Sequence, residues 1–194
     1  MSARRGAIIL AAGASQRMGT PKALLPWAGT TLLGYALQEA LASAVTDVVV
    51  VLGPATQYLA ATINAITVVN PRPESGRSTS IRFGATALPD DVASVVVQSV
   101  DQPAPAEVLR ALFGALTGPA LVALPTYDGR RGHPVCLAGP LLAELRSLDE
   151  RAEGLRSVVR GHQAHLVEVP VGSPSILWNL NDPAAYEAAT QAAQ

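Results

Sequence analysis

Short runs of β-branched and aliphatic residues recur along the chain at Ala7 to Leu10, Val48 to Leu52, Ile66 to Val69, Ser94 to Gln98 and Ala120 to Leu124. Each is too short for a helix and reads as a buried strand. Between them stand patterns of helical period: Thr31 to Ser43, with apolar Leu32, Leu33, Ala36, Leu37, Ala40 and Leu41, then Ala55 to Asn64, Ser78 to Leu88 and Pro105 to Leu116. Strand and helix in alternation leave few architectures. The simplest is a doubly wound α/β fold, with right-handed crossovers, a mostly parallel sheet and helices on both faces. Ligands of such sheets bind at the carboxyl ends of the strands, so functional residues are expected just after them.

Beyond Pro125 the rhythm changes. Tyr127 to Cys136 reads as a turn leading into a strand, followed by helices near Pro140 to Leu148 and Ala152 to His162 and a strand from His165 to Val169. A Gly/Ser/Pro loop then precedes a terminal helix over Pro183 to Ala193, with Asp182 placed to cap it. No repeat, low-complexity tract or linker divides the 194 residues, a length that suits one domain, 1–194, with a full core.

An apolar fraction of 49% with only 15% charged residues suits strands covered on both faces and argues against disorder. Lys and Arg total 14 against 15 acidic residues, so no global field draws the chain to nucleic acid or to an anionic membrane. Any anion site must be local. The single cysteine, Cys136, excludes an internal disulfide and a cysteine-based metal cluster; it reads as a small buried apolar residue and fits the reducing cytoplasm. Arg4-Arg5, the run Ala7 to Leu10 and Ala12-Gly13-Ala14 imitate a secretory signal, but the apolar run is short for one and informative residues continue through the supposed cleavage point. No apolar stretch approaches the ~20 residues of a membrane span, so a soluble, cytoplasmic protein is expected.

Directly after the first strand the chain reads Leu10-Ala-Ala-Gly-Ala-Ser-Gln-Arg-Met-Gly-Thr-Pro-Lys22. By composition, residues 10–22 are a phosphate loop. Leu10, Ala11, Ala12, Gly13 and Ser15 are small or strand-terminal, and let backbone N–H groups approach a polyphosphate. Arg17 can clamp oxygens through its fork, and Lys22 can deliver a point charge. The loop is neither Gly-x-Gly-x-x-Gly nor a P-loop, because Ala23 follows Lys22 where a magnesium-binding Ser or Thr would stand. Asp101 follows the strand at Ser94 to Gln98, where a carboxylate can bind magnesium beside a triphosphate or else cap a turn.

The loop, continued by Leu24-Leu25-Pro26 and Gly29, resembles the signature of the molybdenum cofactor cytidylyltransferases and their relatives. The resemblance recurs in the family's order at Asn70 to Ser80, Val100-Asp-Gln-Pro103, Gly132-His-Pro-Val135 and Leu180-Asn-Asp-Pro-x-x-Tyr186. It implies a Rossmann-like nucleotidyltransferase fold, a nucleotide pocket that includes Gly76 and Ser80, magnesium on Asp101, and an acceptor side near residues 125–180. The family usually shows Asp-Ile-Asp-Thr-Pro where this chain has Asn179-Leu-Asn-Asp-Pro183, so Asn181 falls at the second metal ligand, with Asp182 beside it as the alternative or as a helix cap. Ser78 could cap the helix that follows it. His133 and Arg131, with Arg130 beside it, could meet an anionic acceptor or be structural and solvated. Only Gly154 and Arg156 survive of the family's Gly-Asp-x-Gly-Ala-Arg segment, which puts the pterin acceptor in doubt more than the nucleotide.

These readings imply a magnesium-dependent transfer of CMP from CTP to the phosphate of molybdopterin, with Arg17, Lys22 and Asp101 as the catalytic groups. The Ala11-Ala12-Gly13 form of the loop resembles the cytidylyl branch, whereas the guanylyl branch usually carries Ala-Gly-Gly. Two alternatives stand beside this: transfer to another small sugar or alcohol phosphate, and a non-catalytic nucleotide or pterin carrier that serves a molybdoenzyme.

Overall fold

The computed structural model describes residues 3–13 and 18–193. Chain order is β1 (Arg5–Ala11), β2 (Pro26–Trp27), β3 (Thr30–Thr31), α1 (Leu32–Ala42), β4 (Asp47–Leu52), β5 (Ile66–Val69), α2 (Arg77–Ala87), β6 (Ser94–Ser99), α3 (Ala106–Ala115), β7 (Val122–Tyr127), β8 (Arg130–Arg131), β9 (Val135–Ala138), α4 (Leu142–Arg146), α5 (Leu155–Gly161), β10 (Leu166–Pro170) and α6 (Pro183–Ala192). The principal sheet has eight strands in the order β10-β7-β9-β6-β1-β4-β5, with β8 paired to β7. Pairing is parallel from β6 through β1 and β4 to β5 and between β10 and β7, while β9 runs antiparallel between β6 and β7. The sheet is therefore mostly parallel, with helices around it.

The period of two in β1 divides the core. Ala7, Ile9 and Ala11 join one buried cluster with residues of α1 and α3, while Ile8, Leu10 and Ala12 join a second with residues of α2 and α4. Both faces of the central strands are thus sealed by apolar side chains, the condition for an uninterrupted aliphatic strand. Gly84 of α2 lets this packing close, since a Cβ there would lie 2.4 Å from Ile8 Cγ2.

Two expectations need correcting. Ile66 to Val69 forms a strand at the sheet edge, where Ile66 is 45% and Val69 38% exposed, since among the described residues no strand pairs beyond β5. Ala55 to Asn64 does not form an α-helix: a 3-10 segment covers Gln57–Thr62 with no buried residue. Its Leu59 and Ala60 are only partly buried and Tyr58 is 59% exposed, so little packing supports a full helix. The other helices and strands appear with shifted ends. Glu153 and Gly154, at φ 69° and 56°, delay α5 to Leu155.

Candidate active site

The phosphate loop leaves the sheet between two neighbouring strand ends. Val100 donates its N–H to Leu10 O at 3.1 Å, and Thr56 Oγ1 donates to Ala11 O at 2.9 Å while accepting from Gly53 N–H at 2.9 Å. Gly53 must be glycine: a Cβ would sit 2.3 Å from Ala12 O. Leu10, Ala11 and Ala12 are buried and Gly13 is exposed at the carboxyl edge of β1. Ser15 and Arg17 lie outside the described residues.

Lys22 begins a 3-10 turn over Lys22–Leu24, and its Nζ donates to Asp101 Oδ2 at 2.7 Å and to Asn181 Oδ1 at 2.6 Å. Three residues expected to serve nucleotide and metal therefore meet at one point, although 79 and 159 positions separate them in sequence. The Lys22 and Asp101 side chains are 15% and 17% exposed, so the pair is only partly screened by water. Asp101 sits just past β6, and its carbonyl accepts Leu180 N–H at 2.9 Å, which ties the C-terminal segment to the end of the strand.

The same segment is anchored by an aromatic cluster. Trp27 packs edge-on against Trp178 with centroids 5.8 Å apart and tilted against Tyr186 at 6.3 Å, and the Tyr186 hydroxyl donates to Pro26 O. Asp182 accepts Ala185 N–H at 2.9 Å as the cap of α6, as the sequence suggests. That leaves Asn181 facing Asp101. Two hard oxygen donors converging on one cation fit magnesium, which takes few protein ligands and completes its shell with phosphate oxygens and water. Among the described residues no group of three His, Cys, Asp or Glu could hold a metal unaided.

On the other flank, Asn70 Nδ2 donates to Thr79 Oγ1 at 2.8 Å and to Ser80 Oγ at 2.9 Å, fastening the end of β5 to α2. Ser80 is buried in this bond. Ser78 does not cap α2 with its side chain. Glu150 does so, from 72 positions away: its Oε2 accepts Ser78 N–H at 2.8 Å, and its side chain lies where a Cβ on Gly76, at φ 109°, would fall 2.5 Å from Cδ. Sequence reading missed this long-range cap, as it missed Arg77.

Arg77, the first residue of α2, and His133 are exposed by surface area, yet the surrounding protein partly desolvates both. Desolvation is the larger cause lowering the His133 pKa below the usual histidine range, with the Arg77 charge adding to it; Asp101 pulls the other way. The neutral ring is favoured. Arg131 does not join the cleft, since its Nε pairs with Glu168 Oε1 at 2.7 Å across exposed hairpin surface. Cys136 is buried and desolvation pushes its thiol far up, which makes it inert. Among the described residues no helix is long and apolar enough to cross a membrane.

Comparison with known proteins places the chain in a family. The chain is 31% identical over 171 residues to a nicotine blue oxidoreductase of Paenarthrobacter nicotinovorans, covering 79% of this chain and 80% of that protein. It is 31% identical over 183 residues to a molybdenum cofactor guanylyltransferase of Xanthomonas euvesicatoria pv. vesicatoria, covering 91% and 89%. A nucleotidyl transferase structure from Methanothermobacter thermautotroptrophicus superposes with a TM-score of 0.82 at 22% identity over 98% of each chain, a likeness of fold. Residues 7–167 match the MobA-like NTP transferase domain, and with the loop, Lys22 and Asp101 brought together at its strand ends the chain belongs to that family of nucleotidyltransferases.

Proposed function

We propose that the protein transfers CMP from CTP to the phosphate of molybdopterin and releases pyrophosphate. The observation that carries this is the meeting of Lys22, Asp101 and Asn181 at the mouth of the phosphate loop. An acceptor phosphate oxygen attacks the α-phosphorus in line; the new P–O bond forms as the bond to the β-phosphate oxygen breaks, and pyrophosphate departs. No general base is needed, because an ionised phosphate is already a nucleophile. Magnesium bound to Asp101, Asn181 and the triphosphate would neutralise charge building on the leaving group. Loop N–H groups from Leu10 to Gly13, with Ser15 and Arg17, hold the β- and γ-phosphates, and Lys22 exchanges its carboxylate for the triphosphate. Gly76 shapes the base pocket, and Ser80 braces it through Asn70. Positioning and fixed charge supply most of the rate.

CTP rests on the Ala11-Ala12-Gly13 form of the loop, although one relative is named a guanylyltransferase. Incubation with α-labelled CTP or GTP, magnesium and molybdopterin tests the donor: label should enter the pterin from CTP, and preferential entry from GTP would overturn that choice. Transfer to another small phosphate, or carriage of product to a molybdoenzyme, would show as release with a different acceptor or as binding without release. A second chemistry is suggested by the relative named an oxidoreductase; it would show as a change in the substrate's oxidation state with no pyrophosphate formed.

A further inference from the structure

The outermost strand of the sheet stands open beside a cationic groove. Among the described residues nothing pairs with β5 on its outer side. Asn70, just past its end, donates its N–H to Leu52 O at 2.8 Å. By the alternation of a strand, the main-chain groups of Ile66 and Val68 then face β4, while those of Thr67 and Val69 point outward. Open edges are usually blunted by a charge, a bulge or a cover. Here the sequence carries no charged side chain from Val48 to Pro71, and Ile66 and Val69 are exposed.

Beside this edge lies an open groove of about 660 Å3 between β5 and α2. Val68 lines its strand side, and Thr79, Arg82, Phe83 and Thr86, which share one stripe of α2 at helical spacing, line the other. Phe83 is 41% exposed there. Arg72, just past β5, and Arg82 bring two guanidiniums to the groove, and neither has a side-chain hydrogen bond or ion pair among the described residues. Arg146 lines it too, but is fastened to Ala85 O at 3.0 Å, to Leu88 O at 2.9 Å and to Asp90. No Asp or Glu is among the lining residues, so the groove is positive and unneutralised.

A main chain that pairs with Thr67 and Val69 would run along the groove, with every second side chain turned into it. A second copy of β5 does not match the charge: residues 48–73 contain no carboxylate, so it would bring another Arg72 and nothing to pair it. We propose that the β5 edge and its groove dock an extended acidic segment of a partner protein. The segment adds a strand to the sheet, sets carboxylates at Arg72 and Arg82, and rests apolar side chains on Val68 and Phe83. Lys22, Asp101 and Asn181 are not among the lining residues, although Asn70 and Thr79 are, where the groove adjoins the nucleotide flank. The proposal is therefore independent of which nucleotide the protein uses.

Heptapeptides of alternating valine and glutamate, and of alternating valine and lysine, are the probes. They are titrated into the full chain by fluorescence polarisation, with and without saturating α,β-methylene-CTP. The glutamate peptide should bind in both arms and the lysine peptide in neither, and bound peptide should slow amide exchange at Thr67 and Val69. Arg82→Glu should weaken binding roughly tenfold, an exposed attraction turned into a repulsion. Phe83→Ser should weaken it as well, whereas Arg130→Glu, at the other end of the sheet, should bind as wild type does. Equal binding of the two peptides, no binding of the glutamate peptide, or unchanged affinity in Arg82→Glu overturns the proposal. So does displacement by the nucleotide, which would make the groove part of the nucleotide pocket. A dimer in sedimentation whose β5 amides are already protected would give the edge to a second copy and overturn it too.

Discussion

Replacing Lys22 with methionine separates two roles that the structure gives to one ammonium. In the free protein Nζ lies 2.7 Å from Asp101 Oδ2 and 2.6 Å from Asn181 Oδ1, the two oxygens proposed for the metal. A magnesium or manganese ion bound at about 2.0–2.2 Å to those oxygens leaves no room for the ammonium, and the charges repel. Metal entry must therefore break contacts worth about 1.5–3 kcal/mol for a charged hydrogen bond, discounted toward the lower end because the pair is 15% and 17% exposed. Lys22→Met removes that cost at similar side-chain volume. Without nucleotide, Mn2+ affinity should rise roughly tenfold, equivalent to about 1.4 kcal/mol, measured from free Mn2+ by electron paramagnetic resonance. With nucleotide the order reverses, because the variant lacks the cation that meets the triphosphate, and turnover collapses. A further Asp101→Ala change should erase the gained affinity and so locate it. Equal or weaker Mn2+ binding by Lys22→Met without nucleotide would refute the exchange.

Other changes probe the same scaffold. Asp101→Ala should abolish turnover with melting shifted only a few degrees; an active, folded variant contradicts the assigned role. Asn181→Asp adds a charge to the metal site and should tighten Mn2+ binding severalfold, whereas no change would place the second ligand elsewhere. Gly53→Ala forces a Cβ to 2.3 Å from Ala12 O, so chemical denaturation should show a loss of about 1–3 kcal/mol together with weaker nucleotide binding. His133 has a lowered folded pKa, so below the unfolded value of about 6.5 the unfolded chain takes up a proton that the folded chain refuses. Stability should fall as pH drops through that window, and His133→Asn should flatten the slope.

Much of the fold was legible because aliphatic runs and helical periods alternate, and Asp182 was recognisable as a cap from its place before Pro183. The same signal could not tell an edge from the centre: Ile66 to Val69 looks like Val48 to Leu52 until the pairing is known. Nor does helical period reveal whether a partner exists to bury it, which is why 55–64 misled. Lys22, Asp101 and Asn181 were each readable by type and place, yet their meeting depends on pairing across β1 and β6 and on the Trp27–Trp178 contact. Arg131 read as a cation beside a turn that could meet an acceptor, and only the hairpin that carries it to Glu168 shows where it goes. Glu150 gave no local sign, since the helix it caps lies 72 positions upstream.

Pyrophosphate release, followed with magnesium and each of the four nucleoside triphosphates in the presence and absence of molybdenum-loaded pterin, tests the central claim most directly. The account expects release from CTP that depends on the pterin and vanishes in Asp101→Ala. Silence with every nucleotide despite measurable CTP binding, or release indifferent to Asp101, would contradict it.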